Sequence, residues 1–493
     1  MHARKQSNLR FNRLIVNKST AFTCNLMGSS LPLPSLSSVA RFLDANSIRF
    51  VRLVWCDNAN LIRAKAFHVG FLAEHYVDGI GISMAQQGVT VMGDAIAPDS
   101  GLGPVGEVWL VPDWSTLQRL PYAPGHASVM ADMRLHQQPW GLCPRAFLQR
   151  AIAQAQQAGF QIQAAFENEF YLLQTAPSGE KVPVDHTLFA STLAMNINQV
   201  VIDDITEALL TQGIPVERYY PESGHGQHEI SIRYTDALQA ADWQIVFRET
   251  VRGVALRHGL TASFLPKVFA DQAGSGCHLH LSLWQAGRNV TSASITSELS
   301  ESSEVAKVAG IQGLSKPALF FIGGILRHLP ALMALTTPSP NSYRRLQPHG
   351  WSGAFRAWGV DNREAAVRVP SNPNPPSPTH FEIKTVDASA NPYLALGGAI
   401  AAGLDGIERN LAPGEPIAVD PGHLSEAERQ QRQIDRLPLN LGEAIAHLSQ
   451  NPVLLEALGT DLAAAFLAVR RAEWQALKEM DLESEVKLLL ERY

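Results

Sequence analysis

The segment Phe166-Glu167-Asn168-Glu169-Phe170-Tyr171 sets two carboxylates two residues apart in an otherwise apolar stretch. With the two-residue period of a strand, both leave the same face. Two carboxylates held together away from water are costly unless a cation lies between or beside them. A second pair, Glu222 and Glu229, brackets Ser223-Gly224-His225-Gly226-Gln227-His228, a glycine-containing loop that can return both acids to one place. Glu382 is followed two residues later by Lys384, an acid and a base on one strand face. Residues 277–283 alternate polar and apolar side chains, so His278, His280 and Ser282 share a face, and Gly274-Ser275-Gly276 just before them is a turn whose backbone can approach a ligand closely. Carboxylate oxygens with one or two imidazoles and no thiolates favour magnesium or manganese over zinc.

Basic groups come from two further runs. Asn341-Ser342-Tyr343-Arg344-Arg345-Leu346 and the stretch at 361–370, with Arg363 and Arg368, set arginines beside small or apolar residues, as a wall that binds anions requires. Any single arginine is more simply a surface ion-pair partner. Five acids, two histidines and four basic groups on sheet-like segments imply together a divalent-metal site for phosphoryl transfer.

These groups need a sheet beneath them. A helix is expected at 35–45, then a strand pair over 48–68 turned at Asp57-Asn58-Ala59-Asn60, and brief strands over 108–133 separated by Pro112-Asp113 and Pro121. They make a small β-rich domain over 35–136, and Gln137-Gln138-Pro139-Trp140-Gly141 reads as a linker. From 142 to 493 helices alternate with strands. Helices are expected at 145–158, 193–212, 236–258, 317–335 and 392–409, the last capped by Asn391, with a mostly helical end over 441–478. A strand is expected at 162–173, and the proline-rich 371–378 as a loop.

At 493 residues the chain has room for two or three domains, and its net charge of -6 argues against general nucleic-acid or membrane-surface binding. No apolar run reads as long enough to cross a bilayer; the nearest, 393–404, is short and glycine-rich. Cys24, Cys56, Cys143 and Cys277 show no paired spacing and read as reduced thiols of a cytoplasmic protein. Residues 1–34 form a basic extension without an acid, read as disordered and left outside the fold, with organelle targeting as the lesser reading.

Six runs in one order make the chain resemble the glutamine synthetase family from about residue 35 to its end: FENEF at 166–170, ESGHGQHEI at 222–230, LPKVFADQAGSGCHLHLSL at 265–283, NSYRRL at 341–346, DNREAAVRVP at 361–370, and FEIKTVDASANPYLALGGAIAAGLDGI from 381. The resemblance implies an α+β fold: an N-terminal β-grasp domain, then a catalytic domain with a curved antiparallel sheet flanked by helices. It implies ATP as co-substrate, two or more Mg2+ or Mn2+ ions per site, and a homododecamer of stacked rings with active sites between subunits. Residue by residue, Glu169, Glu222 and Glu229 match the metal site serving the substrate glutamate, and Glu167, His278 and Glu382 the one holding the ATP phosphates. Arg345 matches the grip on the α-carboxylate of glutamate, with the backbone at Gly274 closing that pocket. Arg363, Arg368 and Lys384 match the phosphate wall, Lys384 standing where the family usually has arginine and so lacking the bidentate fork. His280, Ser282 and Arg368 fall on the nucleotide side, and Tyr234 is placed to stack on adenine.

The resemblance implies attack of an amine on a γ-glutamyl phosphate, and the chain departs from its ammonia-using relatives in what would bind that amine. Those relatives carry a flap glutamate shortly after the NSYRRL arginine; here the flap reads Gln347-Pro348-His349-Gly350-Trp351-Ser352-Gly353, with Trp351 at that place. The family's N-terminal aspartate motif is also missing, the region reading Gly79-Ile80-Gly81-Ile82-Ser83-Met84-Ala85. Trp351, with Met84 opposite, suits an alkyl or aryl amine. The expectation is a γ-glutamyl ligase for an organic primary amine; an ordinary glutamine synthetase and a non-catalytic relative are the alternatives.

Overall fold

The computed structural model describes residues 34–93, 95–292, 313–371 and 379–493. The expectations for the basic extension and for most of the proline-rich loop lie outside the described residues.

The small domain is built on one sheet. Its strands are β1 (Phe50–Cys56), β2 (Ile62–His68), β3 (Ile80–Ser83), β4 (Glu107–Pro112), β5 (Gln118–Arg119), β6 (His126–Leu135) and β7 (Gln138–Pro139). The order is β2-β1-β6-β4-β3, with β1 and β6 parallel and the other neighbours antiparallel. Asp57 makes the β1–β2 turn, its carboxylate accepting from the Leu61 N–H at 2.9 Å, with Asn60 in the left-handed region. Helix Leu36–Ala45 buries Val39 and Leu43 against the sheet, together with Val51, Leu53 and Val129. The segment read as a linker is instead folded: His136 and Gln137 both take positive φ, β7 pairs back on β6, and Trp140 is buried.

The second sheet runs β10 (Val216–Pro221), β11 (Gln227–Ile232), β8 (Gln161–Thr175), β14 (Cys277–Gln285), β18 (Phe381–Ile383), β17 (Ala365–Val369), β16 (Phe355–Val360). Short strands β9 (Lys181–Pro183), β12 (Thr235–Asp236) and β13 (Thr261–Ser263) pair with β8, and β15 (Arg288–Asn289) with β14. Every pairing in it is antiparallel except β16 with β17, which is parallel. Alternation along β8 decides its faces: Phe166 and Phe170 join the core, and Glu167 and Glu169 face the other way.

Helices Ala237–Arg257, Lys316–Thr336 and Pro392–Glu408 fill the core behind the apolar face. The last two touch backbone to backbone: a Cβ on Gly324 would lie 2.1 Å from the Ala402 carbonyl oxygen, so only glycine permits that approach. Contrary to the reading of the apolar runs, Lys316–Thr336 is long and apolar enough to cross a bilayer, but 89% of its apolar window is buried inside the protein. The helix expected over 193–212 is two, Thr192–Ile197 and Gln199–Thr211, broken where Asn198 turns its amide to Asp185 at 2.7 Å. The helical C-terminal part is divided into Leu441–Ser449, Pro452–Leu458 and Thr460–Leu477. Arg145 ties the two sheets' surroundings together, donating to Asp113, Asp132 and Asp242, each at 2.8 Å.

Candidate active site

Strand register places the acids. Glu169 on β8 lies opposite Glu229 on β11, Glu167 opposite His278 on β14, and Glu382 on β18 opposite both His280 and Arg368 on β17. Facing residues in a sheet share a side, so carboxylates and imidazoles from four strands point into one concavity. Glu222 joins them from the loop after β10.

They sort into two groups. In one, Glu169, Glu222 and Glu229 each offer an oxygen within 4.8 Å of the others. In the other, Glu167, His280 and Glu382 do the same. His278, expected as the third member of that second group, stands between the two: its Nδ1 is 3.2 Å from Glu167 and 3.8 Å from Glu382, and its Nε2 is 3.9 Å from Glu169. His280, expected on the nucleotide side, lies 3.4 Å from Glu167 and 3.2 Å from Glu382.

The two groups differ in charge compensation. Burial works against ionisation of Glu167, but hydrogen bonds from His278 and His280 outweigh it and hold its carboxyl well below the usual range. His280 is disfavoured as a cation by burial, yet Glu167 and Glu382 push it up to about 10. Glu382 also accepts from Arg368 at 2.8 Å. The other group is less well compensated, the nearest imidazole nitrogen, His278 Nε2, standing 3.9 Å from Glu169. Burial, with the charge of Glu169, raises Glu222 to about 7; burial, with the charges of Glu167 and Glu169, raises Glu229 to about 9. Three carboxylates in that state are a donor set that fits a hard divalent cation.

The glycine turn is pinned against this cluster. The Gly276 N–H donates to Glu169 at 2.9 Å, Gln227 donates to the Gly274 carbonyl at 3.1 Å, and Tyr171 donates to the Ala273 carbonyl at 2.6 Å. A Cβ on Gly274 would lie 2.5 Å from Arg345 Cγ and 2.7 Å from the Pro266 carbonyl oxygen, so the turn and Arg345 form one wall. Arg345 is buried and donates to the carbonyls of Thr385 at 2.8 Å and Val386 at 3.1 Å, leaving Nε without a partner. Its neighbour Arg344 turns away into an ion pair with Glu485 at 2.8 Å. Lys384 is buried, its Nζ 3.4 Å from His278 Nε2. Arg368, expected beside the nucleotide, is engaged by Glu382. Arg363 is exposed, its guanidinium 5.7 Å from the centre of the Trp351 ring.

Beside the second group opens a cavity of about 420 Å3, lined among others by Arg218, Tyr234, His280, Ser282, Trp284 and His380. Tyr234 and Trp284 face each other with ring centres 6.2 Å apart. Trp284 was not expected here, although it continues the face of His278, His280 and Ser282 by one more step of two. Met84 lies in the small domain, where a Cβ on Gly106 would come within 2.7 Å of its sulfur.

Beneath the flap, in the turn between β16 and β17, lies a further group with no signal in the local sequence. Glu364 is buried and accepts from the Trp351 N–H at 2.8 Å, and its second oxygen has no hydrogen-bond partner among the described residues. Burial and the charge of Asp420 raise its carboxyl above the usual range.

The glutamine synthetase catalytic-domain model matches residues 141–488, and the glutamine synthetase N-terminal-domain model residues 35–139. The chain belongs to the glutamine synthetase family. It is an ATP-dependent ligase that forms carbon–nitrogen bonds, as the family's enzymes are. Type-1 glutamine synthetase 1 of Dictyostelium discoideum is 36% identical over 474 residues, covering 90% of each chain. Gamma-glutamylpolyamine synthetase of Streptomyces coelicolor is 36% identical over 447 residues, covering 89% of this chain and 92% of that one. A solved structure described as a GmaS/ADP complex superposes with a TM-score of 0.77 at 32% identity, covering 92% of this chain and 99% of that chain. Glutamine synthetases in general use glutamate, ATP and an amine or ammonia, and depend on divalent metals.

Proposed function

We propose that this ligase joins the γ-carboxylate of glutamate to an organic primary amine, such as a polyamine, monoamine or aromatic amine. The observation that carries the choice of amine is Trp351, an exposed indole in the flap, held from below by Glu364 and flanked by Arg363. An apolar, polarisable surface there favours an alkyl or aryl group over ammonia. The similarity to a gamma-glutamylpolyamine synthetase supports the same reading, and the equal identity to a glutamine synthetase keeps ammonia as the alternative.

In this reading Glu169, Glu222 and Glu229 hold one Mg2+ or Mn2+ ion, and Glu167, His278 and Glu382 hold another, with the cationic His280 beside them on the nucleotide side. When bound, such ions neutralise the carboxylates and polarise the phosphate oxygens. Arg345 and the Gly274 backbone orient glutamate by its α-carboxylate. Tyr234 and Trp284 offer the adenine an aromatic surface to stack on, with Ser282 alongside. An oxygen of the γ-carboxylate attacks the terminal phosphorus of ATP, the bond to the ADP oxygen breaks, and the resulting acyl phosphate is electrophilic where the carboxylate was not. The amine nitrogen then attacks the acyl carbon and inorganic phosphate leaves. Arg363 and Lys384 carry the charge that develops on the phosphoryl oxygens. The substrate ammonium gives up a proton before its nitrogen can attack, and Glu364, beneath the flap, is the carboxylate that accepts it.

Assembly into stacked rings, with active sites between subunits, and a cytoplasmic location belong to the same proposal. The exposed apolar residues Leu188, Phe189, Leu193, Ile197 and Val200 are a surface that contact with another subunit would cover. The test of function is steady-state turnover with glutamate, ATP and a panel of amines, with phosphate release and product mass as readouts. Ammonia outperforming every organic amine would return the chain to the ordinary synthetases.

A further inference from the structure

The flap meets a second turn of the chain outside the carboxylate cluster. His349 and Trp351 both take positive φ, so the flap is sharply turned and presents His349 two residues before Trp351. Facing it is the turn Pro421–His423, capped by Asp420, whose Oδ1 accepts from the Gly422 N–H at 2.7 Å. That leaves Oδ2 directed at two imidazoles: His349 Nδ1 at 2.7 Å and His423 Nδ1 at 3.8 Å. The two rings lie 4.8 Å apart at 31°, and one donor atom from each of the three residues falls within 4.8 Å of the others.

The surroundings hold this arrangement. Asn362 donates to the carbonyls of Ile417 at 2.9 Å and Val419 at 3.0 Å, fixing the segment that leads into Asp420. A Cβ on Gly422 would lie 2.7 Å from His349 Cε1, so the imidazole packs directly over the turn at residue 422. Glu364 adds a buried carboxylate close enough to feel the charges of Asp420 and His349, one oxygen having no hydrogen-bond partner among the described residues. The bland reading is one His–Asp hydrogen bond with a second histidine in water. It does not account for two imidazoles, with ring centres 4.8 Å apart, converging on the same oxygen.

We propose that His349, Asp420 and His423 bind a divalent transition ion of the zinc class and thereby tie the flap to the 420–423 turn. Two imidazoles and one carboxylate suit zinc, cobalt or nickel, whereas the all-oxygen cluster in the sheet suits magnesium or manganese. In a tetrahedral zinc site neighbouring ligand atoms lie about 3.3 Å apart. The separations of 2.7 and 3.8 Å straddle that value, so rotation of two exposed imidazoles brings all three donors to one ion and leaves a fourth position for water. An ion there fixes Trp351 through His349 and so limits admission of the amine. The inference goes beyond the ligase reading and does not depend on which amine is used.

Cobalt is the probe, because tetrahedral Co2+ absorbs strongly in the visible and magnesium does not. Full-length protein is saturated with Mg2+ and titrated with Co2+, alongside His349→Ala, His423→Ala and Glu229→Gln. Both histidines are exposed, and equal melting temperatures confirm that their variants fold. The wild type should show a visible band saturating near one ion per chain; His349→Ala and His423→Ala should weaken its binding at least tenfold, and Glu229→Gln should keep it. Wild type without the band, histidine variants that bind as wild type does, or a band lost only in Glu229→Gln would each overturn the site.

Discussion

Glu169 and Glu229 are register partners on adjacent antiparallel strands, so two carboxylates leave the sheet side by side on the same face. Like charges directly opposite destabilise a sheet, and here burial and the neighbouring charges add the cost of holding Glu229 protonated near neutral pH. Glu229→Gln should therefore raise the melting temperature of the metal-free protein by about 1–2 °C, while lowering turnover on the order of 10²-fold or more. Differential scanning fluorimetry in chelator, paired with a phosphate-release assay, measures both. A metal-free variant less stable than wild type would mean that the pair is not under repulsion.

The raised acids give a pH signature. Glu222 near 7 and Glu229 near 9 lie above their unfolded values, so their contribution to stability is complete below about pH 4.5 and is lost as pH rises through 7 to 9. Metal-free protein should lose melting temperature between pH 6 and 9, and saturating Mg2+ should remove most of that loss. Magnesium affinity should rise over the same window because the ion displaces protons. Glu229→Gln should flatten the upper half of the profile. Affinity that is independent of pH would contradict the assignment.

Trp284 and Tyr234 frame the cavity beside Glu167 and His280. Loss of a base-stacking aromatic costs about 1–3 kcal/mol, so Trp284→Ala should raise the KM for ATP by about 5- to 100-fold and leave the KM for the amine nearly unchanged. Steady-state kinetics with each substrate varied in turn separates the two. A change confined to the amine would place the nucleotide elsewhere.

The wall made by Gly274 and Arg345 is testable by one methyl group. Gly274→Ala puts a Cβ 2.5 Å from Arg345 Cγ, and the side chain must yield because the Pro266 carbonyl blocks the other way. The KM for glutamate should rise on the order of 10- to 10²-fold, with ATP binding retained by calorimetry. An unchanged KM would remove Arg345 from glutamate recognition.

Much of the site was legible in the sequence because strands have a period of two: Glu167 with Glu169, and His278 with His280, could be assigned to common faces without any coordinates. Periodicity does not say which imidazole meets which acid. That depends on inter-strand register, which sets His278 against Glu167 and His280 against Glu382. The turn at His136 and Gln137 escaped notice because two non-glycine residues adopt positive φ there, with no Asn-Gly or Asp-Gly signal. Asn198 breaks a helix whose apolar pattern runs on through it, because its amide finds Asp185, a partner thirteen residues back in the chain. Glu364, in the run 361–370, carries no pattern that marks it beside Arg363; only its burial and its bond to the Trp351 backbone single it out.

Trp351 bears the weight of the substrate assignment. A single pocket contact discriminates by about 1–3 kcal/mol, or 10- to 200-fold, so Trp351→Glu should shift the ratio of kcat/KM for ammonia to that for the best organic amine by at least tenfold towards ammonia. The variant replaces an exposed side chain, so an unchanged melting temperature separates specificity from folding.

The most direct measurement is a competition. Wild-type enzyme with glutamate, ATP and Mg2+ is offered ammonium and a mixture of organic primary amines at equal concentrations, and the γ-glutamyl products are resolved by mass spectrometry. The account expects one or more γ-glutamyl alkyl or aryl amides to exceed glutamine; glutamine as the dominant product would contradict it.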